Sequence, residues 1–273
     1  MPELPEVQTI VCSLSDCITG RTISSLKVCS QHVLRRTSEY EIKQFRNKRI
    51  AGVRRRGKLI LITFEKDEIL LFHLKMTGQL IFLAKDEPWD RHTHLSIRFR
   101  ALTEELRFRD VRKFGFLAAL RSGEAAMCKE LRELGPEPLE IDEQNFLRLF
   151  EKRKTRLKSL LLDQTFLAGI GNIYADEILF RARLHPFVSA ASLSRGQLQN
   201  LRRRIKEVLR EAVSRRGSSI RDFSDACGRQ GGFQDQHRVY GRESLPCPDC
   251  GQTIQRLRLT GRSCFVCPDC QRL

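Results

Sequence analysis

The chain begins Met1-Pro2-Glu3-Leu4-Pro5-Glu6-Val7. Proline is favoured in the first turn of a helix, and carboxylates are stabilised at the positive end of the helix dipole, so the stretch predicts a helix start. Apolar residues continue it with the i, i+3, i+4, i+7 spacing of an amphipathic helix, namely Val7, Ile10, Val11 and Leu14. We therefore expect a helix over residues 5–16 that ends near Thr19 and Gly20.

Pro2 could also take part in a reaction as the first residue of the mature chain. The enzymes that remove an initiator methionine act when the next residue is small, and proline qualifies. Removal of Met1 would leave a secondary amine at the start of the chain, next to Glu3 and Glu6. An α-amino group has a pKa of about 7.7–8.0 against about 10.4 for lysine, so much more of it is unprotonated at neutral pH. Such an amine can attack an aldehyde-like carbon and form a Schiff base, with Glu3 placed to move protons. The alternative interpretation is that Pro-Glu does no more than start a helix.

Size, charge and cysteine content limit the class of protein. The 273 residues are enough for two ordinary domains and a small appendage. A total of 49 Lys and Arg against 33 Asp and Glu gives a net charge of +16, which points to nucleic acid as a partner. Neither a membrane-spanning apolar run nor a signal peptide is visible, so we expect a cytosolic protein with no membrane partner. Ten cysteines in such a chain favour metal ligands or free thiols over disulfides.

Between about residues 22 and 120 the pattern is that of short strands. Strands are expected at residues 26–28, 58–64, 69–74, 80–82, 95–99 and 106–108. Turns are expected between them at Gly52, Gly57, residues 66–67, Gly78 and residues 103–104. Because no helical pattern intervenes, we expect an antiparallel sandwich or barrel.

The stretch Leu134-Gly135-Pro136-Glu137-Pro138 interrupts the chain, and we place a domain boundary there. The pattern beyond it is helical, with one helix around residues 157–161 and three that are expected to begin at the capping residues Asp142, Asn172 and Ser194. The last of these is expected to stop at Gly217. From Ala226 to His237 three glycines lie among polar side chains without a period, and we expect a mobile loop.

The C-terminal tail repeats one motif, Cys247-Pro248-Asp249-Cys250 and Cys267-Pro268-Asp269-Cys270. Two Cys-x-x-Cys turns at this separation predict one structural Zn²⁺, bound by four thiolates across a β-hairpin. A second register, in which Cys264 and Cys267 form the second pair, stays open on spacing alone. The arginines near the hairpin tip, Arg256, Arg258 and Arg262, are suited to contact phosphates.

Three further features favour contact with DNA. Asn172 follows two glycines at a helix start, where backbone N–H groups form a phosphate cradle, although an ordinary capped turn fits as well. Lys58 precedes an apolar strand. Its side chain either extends into solvent without a function or points into a cleft, where it would bind a phosphate or carry a proton. Met76 and the segment 110–115 are expected on loops, and exposed Met, Arg and Phe side chains there suit wedges that replace a base extruded from the stack.

Six motifs, in family order, resemble the formamidopyrimidine-DNA glycosylases, bacterial enzymes that remove oxidised purines from DNA. They extend over almost the whole chain and are the N-terminal stretch, His73-Leu74-Lys75-Met76-Thr77-Gly78, Leu134-Gly135-Pro136-Glu137-Pro138-Leu139, Gly169-Ile170-Gly171-Asn172-Ile173-Tyr174-Ala175, Val239-Tyr240-Gly241-Arg242 and the cysteine tail. The resemblance implies an α+β multidomain fold. An N-terminal helix on a β-sandwich would be followed by a helix-two-turn-helix domain and a zinc-finger hairpin.

The resemblance also implies roles for individual residues. Pro2 would displace the damaged base at C1′ of the deoxyribose and hold the sugar as an imine. Glu3 would donate the proton for base release and ring opening, with support from Glu6. Lys58 would donate the proton in β-elimination, and Arg262 would assist δ-elimination.

Further positions match DNA contacts of the family. Asn172, Lys58 and Arg262 would hold the phosphates that flank the flipped nucleotide. Met76, Arg112 and Phe114 would fill the gap that the flipped nucleotide leaves, and His73, His92 and Arg153 would contact DNA elsewhere. The implied domains are residues 1–134, 135–225 and 242–273, with a lesion-capping loop and linker over residues 226–241. The implied partner is double-stranded DNA with an oxidised base, bound by a monomer in the bacterial cytoplasm at the nucleoid.

Within the segment 110–115, Val111 and Lys113 stand where the commoner family pattern has Pro and Arg, and Leu59 follows Lys58 where that pattern has an aromatic residue. None of these departures removes a catalytic group. Two alternatives stay open: an endonuclease VIII-type enzyme for oxidised pyrimidines, and a zinc-bearing DNA-binding protein whose catalytic site is dead. Leu4 and the set Met76, Arg112 and Phe114 disfavour the first of these.

Overall fold

The computed structural model describes residues 1–220 and 223–273, and the chain divides into two units. The N-terminal unit consists of Met1–Arg132 and Arg216–Gly231. The C-terminal unit consists of Glu133–Arg215 and Gly232–Leu273. The chain therefore returns to the first unit for one short stretch after the last long helix of the second.

The first helix, α1, runs from Leu4 to Ile18 and ends at Thr19 as expected. Its apolar stripe is buried almost completely, with Val7 and Leu14 at 0% exposure. Pro5 lies in the first turn, where a missing backbone N–H costs nothing. Burial of this stripe fixes the N-terminal residues to the core of the unit.

Eight strands form the sandwich that the strand spacing predicted. They are β1 (Ile23–Val28), β2 (Ile50–Arg56), β3 (Leu59–Phe64), β4 (Ile69–His73), β5 (Gly78–Ala84), β6 (Thr93–Phe99), β7 (Glu104–Asp110) and β8 (Phe116–Leu120). Two antiparallel sheets result, ordered β1-β6-β7-β5 and β2-β3-β4-β8. One apolar core joins their inner faces and α1, and the rings of Phe72 and Phe108 meet in it at 5.8 Å. Two short helices, α2 (Glu39–Lys43) and α3 (Lys129–Arg132), complete the unit.

The turn that was predicted at Gly52 was wrong, because Gly52 lies within the strand β2. Gly52 pairs with Thr63 of β3, and its carbonyl accepts a hydrogen bond of 3.0 Å from the Thr63 hydroxyl. Glycine has a low intrinsic preference for strands, but pairing with β3 holds Gly52 in the sheet. The strand β8 was missed because its apolar run does not alternate.

The C-terminal unit is helical as expected, with α4 (Glu143–Leu149), α5 (Leu157–Leu162), α6 (Asn172–Ala182) and α7 (Arg195–Ser214). Asp142 and Ser194 cap α4 and α7 by accepting backbone N–H groups, as predicted. The cap of α6 is Gly171 and not Asn172, because Gly171 is still extended while Asn172 is already helical. None of the helices among the described residues is long and apolar enough to cross a membrane.

A buried polar cluster attaches the C-terminal hairpin, β9 (Gln255–Leu259) and β10 (Arg262–Val266), to α5 and α6. Lys158 and Asp176 form an ion pair of 2.7 Å at 0% and 1% exposure. Lys158 also donates to the Ser263 carbonyl at 2.7 Å, and Asp176 accepts from the Phe265 N–H at 3.2 Å. Burial raises the pKa of Asp176 to about 6, against the opposing effect of Lys158. The cluster makes the position of the hairpin depend on these two helices.

The Glu177 carboxylate, also fully buried, accepts the backbone N–H groups of Arg238, Val239 and Tyr240 at 2.9–3.0 Å. These hydrogen bonds fix the stretch 238–240 to α6. Residues 226–237, expected to be a loop without regular structure, contain a 3₁₀ turn at Phe233–Gln236. Phe233 is buried there, and its ring lies 5.6 Å from that of Tyr174.

Candidate active site and nucleic-acid interface

The start of α1 brings two buried carboxyl groups next to Pro2. Glu3 is the N-cap of the helix and is 3% exposed, while Glu6 in the first turn is 2% exposed. The Glu3 N–H donates to Glu6 Oε2 at 2.8 Å, and the Ser218 N–H donates to Glu6 Oε1 at 2.8 Å. Both carboxylate oxygens of Glu6 thus accept hydrogen bonds from backbone N–H groups. These bonds suit a residue that positions the N-terminal turn.

Gly217 and Ser218 lie against the Glu6 carboxylate, a contact that the sequence pattern did not predict. Gly217 has φ +75°, and a Cβ atom built on it would lie 2.7 Å from Glu6 Oε1. A side chain at this position would therefore push the 217–218 backbone away from the carboxylate. The only signal in the sequence was the end of a helix at a glycine, which predicts a stop and says nothing about a contact with α1.

Lys58 lies in the turn between β2 and β3 and is 6% exposed. This burial rules out the interpretation in which its side chain simply extends into solvent. The adjacent residue Leu59 pairs with His73 across β3 and β4, and the positive charge of Lys58 contributes to a lower pKa at His73. Lys58 and His73 therefore belong to one neighbourhood of the N-terminal unit.

Burial, together with the charges of Lys75 and Lys58, lowers the pKa of His73 from about 6.5 to about 3. The imidazole is therefore neutral at physiological pH. Its Nδ1 accepts the Lys75 N–H at 3.0 Å, so the hydrogen-bond pattern assigns the proton to Nε2. A neutral ring with a donor at Nε2 can bind a phosphate oxygen without a change of charge between pH 5 and 8.

The lowered pKa of His73 predicts an acid-dependent loss of stability. The folded state resists protonation until about pH 3, whereas the unfolded chain takes up the proton near pH 6.5, so stability falls as pH decreases through this window. Between pH 7 and pH 5 the wild type should lose about 2 kcal/mol more free energy of unfolding than His73→Gln. Urea unfolding at both pH values measures the difference. His32→Gln, at an exposed histidine, should behave like the wild type, and equal pH dependence in His73→Gln would contradict the assignment.

Met76, Arg112 and Phe114 meet on the surface of the N-terminal unit. The Arg112 guanidinium lies 4.8 Å from the centre of the Phe114 ring, and its Nη1 lies 3.1 Å from the Met76 sulfur. Met76 is 45% exposed and Phe114 is 53% exposed. The expected clustering and exposure of these three side chains are thus present. We call them the wedge cluster below.

Asp110 holds the loop of the wedge cluster in place. The sequence pattern did not predict this role. It is fully buried, and its carboxylate accepts the Gly115 N–H at 2.7 Å, the Arg112 N–H at 3.2 Å and the Thr77 hydroxyl. The Asp110 N–H in turn donates to the His92 carbonyl at 3.0 Å, which places His92 beside this loop. One carboxylate therefore connects the two loops that carry the wedge cluster.

In the C-terminal unit the turn before α6 is held by Gln164, whose side chain bonds the Gly169 N–H and the Ile170 carbonyl at 2.9 Å. Gly169 has φ +92°, a conformation that favours glycine. The Asn172 Oδ1 atom is buried and has no hydrogen-bond partner in the described part of the chain. Because a buried acceptor without a partner is costly, this site is suited to a ligand or water that satisfies the amide.

The hairpin tip of β9 and β10 presents exposed arginines. Thr260 and Gly261 have φ +46° and +79°, as the two central residues of a type I′ turn require. Arg258 and Arg262 flank this turn and are exposed. Arg153, after α4, is exposed as well.

The four cysteines of the repeated motif come together with the geometry of a tetrahedral metal site. The sulfur atoms of Cys247, Cys250, Cys267 and Cys270 all lie within 4.8 Å of one another. The Cys247–Cys270 and Cys250–Cys267 distances are 3.9 Å and 3.4 Å. Zn–S bonds of about 2.3 Å in a tetrahedron place sulfurs roughly 3.8 Å apart, so the residues fit one structural Zn²⁺.

The alternative register through Cys264 is excluded. Its sulfur lies 3.5 Å from Asp176 Oδ1, in the buried polar cluster and away from the other thiols. Burial raises the pKa of this thiol to about 12, which keeps it protonated. Cys264 is thus a packing residue, and the duplicated Pro-Asp motif identified the correct pair.

Three family models match the chain. They are the formamidopyrimidine-DNA glycosylase N-terminal domain over residues 1–117, the formamidopyrimidine-DNA glycosylase H2TH domain over residues 134–224, and the zinc finger found in FPG and IleRS over residues 244–273. Together they extend over both units and the cysteine tail.

Full-length relatives and solved structures agree with these matches. The chain is 40% identical over 267 residues to the formamidopyrimidine-DNA glycosylase of Desulforamulus reducens, with 95% of each chain covered. It is 41% identical over 261 residues to that of Moorella thermoacetica, with 94% of this chain and 95% of the relative covered. A solved complex between Lactococcus lactis Fpg and DNA that contains an abasic site matches with a TM-score of 0.92 at 34% identity, over 99% of this chain and 100% of that one. A mutant of the same Lactococcus lactis protein, in complex with DNA that contains Fapy-dG, matches with a TM-score of 0.93 at 34% identity over 100% of both chains.

Proposed function

The chain belongs to the formamidopyrimidine-DNA glycosylases, which are DNA glycosylases of base excision repair, and from that premise we propose that it excises oxidised purines with Pro2 as the nucleophile. The observation that supports this proposal most strongly is at the start of α1. The residue after Pro2 is Glu3, and it is only 3% exposed. Burial of such a group is costly for the fold, whereas a buried carboxyl is useful beside a reacting amine.

In the proposed reaction the Pro2 nitrogen, exposed by removal of Met1, attacks C1′ of the damaged nucleotide. The glycosidic C–N bond breaks, and Glu3 supplies the proton that the departing base requires. Glu6 acts indirectly by holding the first turn through the N–H groups of Glu3 and Ser218. After the sugar ring opens, C1′ and the proline nitrogen form an imine, which makes the C2′ hydrogen acidic.

The imine prepares the strand for elimination. Loss of the C2′ proton breaks the C–O bond to the 3′ phosphate, and a second elimination releases the 5′ phosphate. We assign Lys58 to proton donation in the first elimination and Arg262 to assistance in the second. Zn²⁺ takes no part in these steps, because four thiolates leave it no open position, and its role is to fold the hairpin that carries Arg262.

The enzyme must first remove the base from the stack, at a cost of a few kcal/mol. The wedge cluster is suited to fill the space, because its methionine and phenylalanine are about half exposed and both contact Arg112. We assign Arg112, stacked on Phe114, to the face of the orphaned base.

Contacts with phosphates offset the cost of flipping. We assign them to Lys58, His73, His92, Arg153, Asn172 and Arg262. The partner is then double-stranded DNA with an oxidised base, bound by a monomer that works in the bacterial cytoplasm at the nucleoid. The net charge of +16 suits such a polyanion.

Excision assays on three duplexes test the substrate assignment. We expect release of 8-oxoguanine opposite cytosine, much slower release opposite adenine, and little action on an oxidised pyrimidine. A preference for the pyrimidine would favour the endonuclease VIII-type alternative. Absence of excision from all three, with DNA binding intact, would favour a dead catalytic site and contradict the proposal.

A further inference from the structure

Two cysteines outside the zinc site lie side by side in the N-terminal unit. Cys17 is in the last turn of α1, Cys227 is in the stretch that returns to this unit, and their sulfur atoms are 3.9 Å apart. Cys227 is exposed and Cys17 is half-buried. Two exposed cysteines of the same unit contact other groups instead, Cys12 the Gln8 amide and Cys29 the Lys27 carbonyl.

Backbone contacts on both sides of Cys227 hold this arrangement. Ala226 is fully buried, its N–H donates to the Ser13 hydroxyl of α1 at 3.2 Å, and its carbonyl accepts from Phe82 of β5 at 2.9 Å. The buried Asp225 carboxylate accepts the N–H groups of Cys227 and Arg229, each at 2.9 Å. The turn is thus anchored to α1 and to the sheet, and the two thiols remain neighbours because the backbone keeps them there.

We propose that Cys17 and Cys227 are a redox-active thiol pair, which a hydroperoxide converts to a disulfide that joins the turn at residues 225–229 to α1. A disulfide has an S–S length of about 2.05 Å, so side-chain rotation has to bring the two sulfurs closer by about 2 Å. Disulfides in reducing compartments are typically transient and regulatory, which suits an exposed pair better than a structural bond.

The oxidation proceeds in two balanced steps. The exposed Cys227 sulfur attacks one oxygen of hydrogen peroxide and releases its S–H proton, the O–O bond breaks, and the other oxygen takes that proton and leaves as water. The Cys17 sulfur then attacks the Cys227 sulfenic acid, the S–O bond breaks, and the hydroxyl leaves with the Cys17 proton as a second water. Two thiols lose two electrons in total, and the peroxide accepts them.

The surroundings of the two thiols determine the order in which they react. Burial and the neighbouring Cys227 raise the pKa of Cys17 to about 11, so Cys17 stays protonated until the second step. Cys227 meets the peroxide first because it is the more exposed of the two.

The disulfide and the active site are connected through α1. Ser218 contacts Glu6 and Cys227 contacts Cys17, and these two points on α1 are about 16 Å apart along the helix axis at 1.5 Å per residue. A covalent bond at one end limits the movement of the 217–218 backbone relative to Glu6 at the other. On the function proposed above, this slows base excision until a thiol reductant opens the bond.

Peptide mapping of the zinc-loaded full-length protein after hydrogen peroxide treatment tests the pair without reference to activity. The peptide that ends at Arg21 contains both Cys12 and Cys17, so Cys12→Ser is the background for assignment. We expect a non-reduced cross-link between this peptide and the one that contains Cys227, with loss of two hydrogen atoms. The cross-link should be absent in Cys17→Ser and in Cys227→Ser, and present in Cys29→Ser. A zinc chelator dye verifies that the metal stays bound.

Excision rates give the second readout. The oxidised protein should act at least severalfold more slowly, recover with dithiothreitol, and show no such response as Cys227→Ser. Oxidation of both cysteines without a cross-link overturns the pair, and a fully cross-linked protein with an unchanged rate overturns its effect on excision. If the reduced protein shows no excision, the proposed function fails, while the cross-link still decides whether the thiol pair exists.

Discussion

Glu3→Gln is expected to abolish excision of the damaged base while it leaves strand cleavage at a preformed abasic site largely intact. Glutamine keeps the length and the hydrogen-bond acceptor of the N-cap residue, so the start of α1 should fold normally. It has no proton to give to the departing base, and loss of a general acid typically costs 10²–10⁴-fold in rate. An abasic site has no base to release, so the amine can still attack its aldehyde. Single-turnover rates on a duplex with 8-oxoguanine and on one with an abasic site give the two values.

Asp16→Asn provides the matched control, because Asp16 is an exposed acid on the same helix. It should excise at the wild-type rate on both substrates. Excision by Glu3→Gln within a few-fold of the wild type would remove Glu3 from the reaction. An equal loss on both substrates would mean that Glu3 serves the amine or the fold and not the departing base.

Removal of the zinc, by chelation or by Cys250→Ala, is expected to unfold the C-terminal hairpin and to weaken DNA binding strongly. Its apolar cluster is small and includes three of the zinc-site cysteines themselves, together with Phe180, Val239, Ile254 and Phe265. Structural zinc contributes about 10–16 kcal/mol of binding free energy in zinc-finger peptides, which a cluster of this size does not replace. Unfolding the hairpin would also remove the phosphate contacts proposed for its tip arginines, Arg258 and Arg262, and should reduce the slope of log K against log salt by about 1–2.

Fluorescence anisotropy over a range of salt concentrations measures that slope, and atomic absorption measures the zinc content. Cys29→Ser, at an exposed cysteine outside the site, should retain one zinc and the wild-type slope. Cys264→Ala should retain the zinc as well, because its sulfur contacts Asp176 and not the metal site. A Cys250→Ala protein that keeps one zinc and the full slope would contradict the assignment of the four ligands.

Features that depend on neighbours in sequence were predictable. The period of α1, the caps at Asp142 and Ser194, and the duplicated Cys-x-x-Cys motif each express a local rule, and the structure follows them. Exposure of the wedge cluster followed from its position on loops. For the roles of Pro2, Lys58 and Arg262, the resemblance to a family supplied what spacing alone did not.

Features that depend on distant partners were not predictable. Sequence alone predicts a turn at Gly52, but pairing with β3 places this residue in a strand. Sequence alone predicts only a helix end at Gly217, but the structure also places Glu6 against it. Asp176 and Glu177 look like the polar face of α6, but the hairpin and the stretch 238–240 cover them and supply their hydrogen bonds. Hydrophobic periodicity reports which side chains avoid water, and it does not report which buried polar groups have partners elsewhere in the chain.

Borohydride trapping on a duplex with 8-oxoguanine, followed by peptide mapping, tests whether Pro2 is the nucleophile. Borohydride reduces an imine to a stable amine, so a Schiff base leaves a permanent bond between protein and DNA. We expect one adduct, on a peptide that begins at Pro2 and lacks Met1, and none when Pro2 is preceded by a retained methionine. An adduct on Lys58 or another lysine, or excision without any adduct, would contradict it.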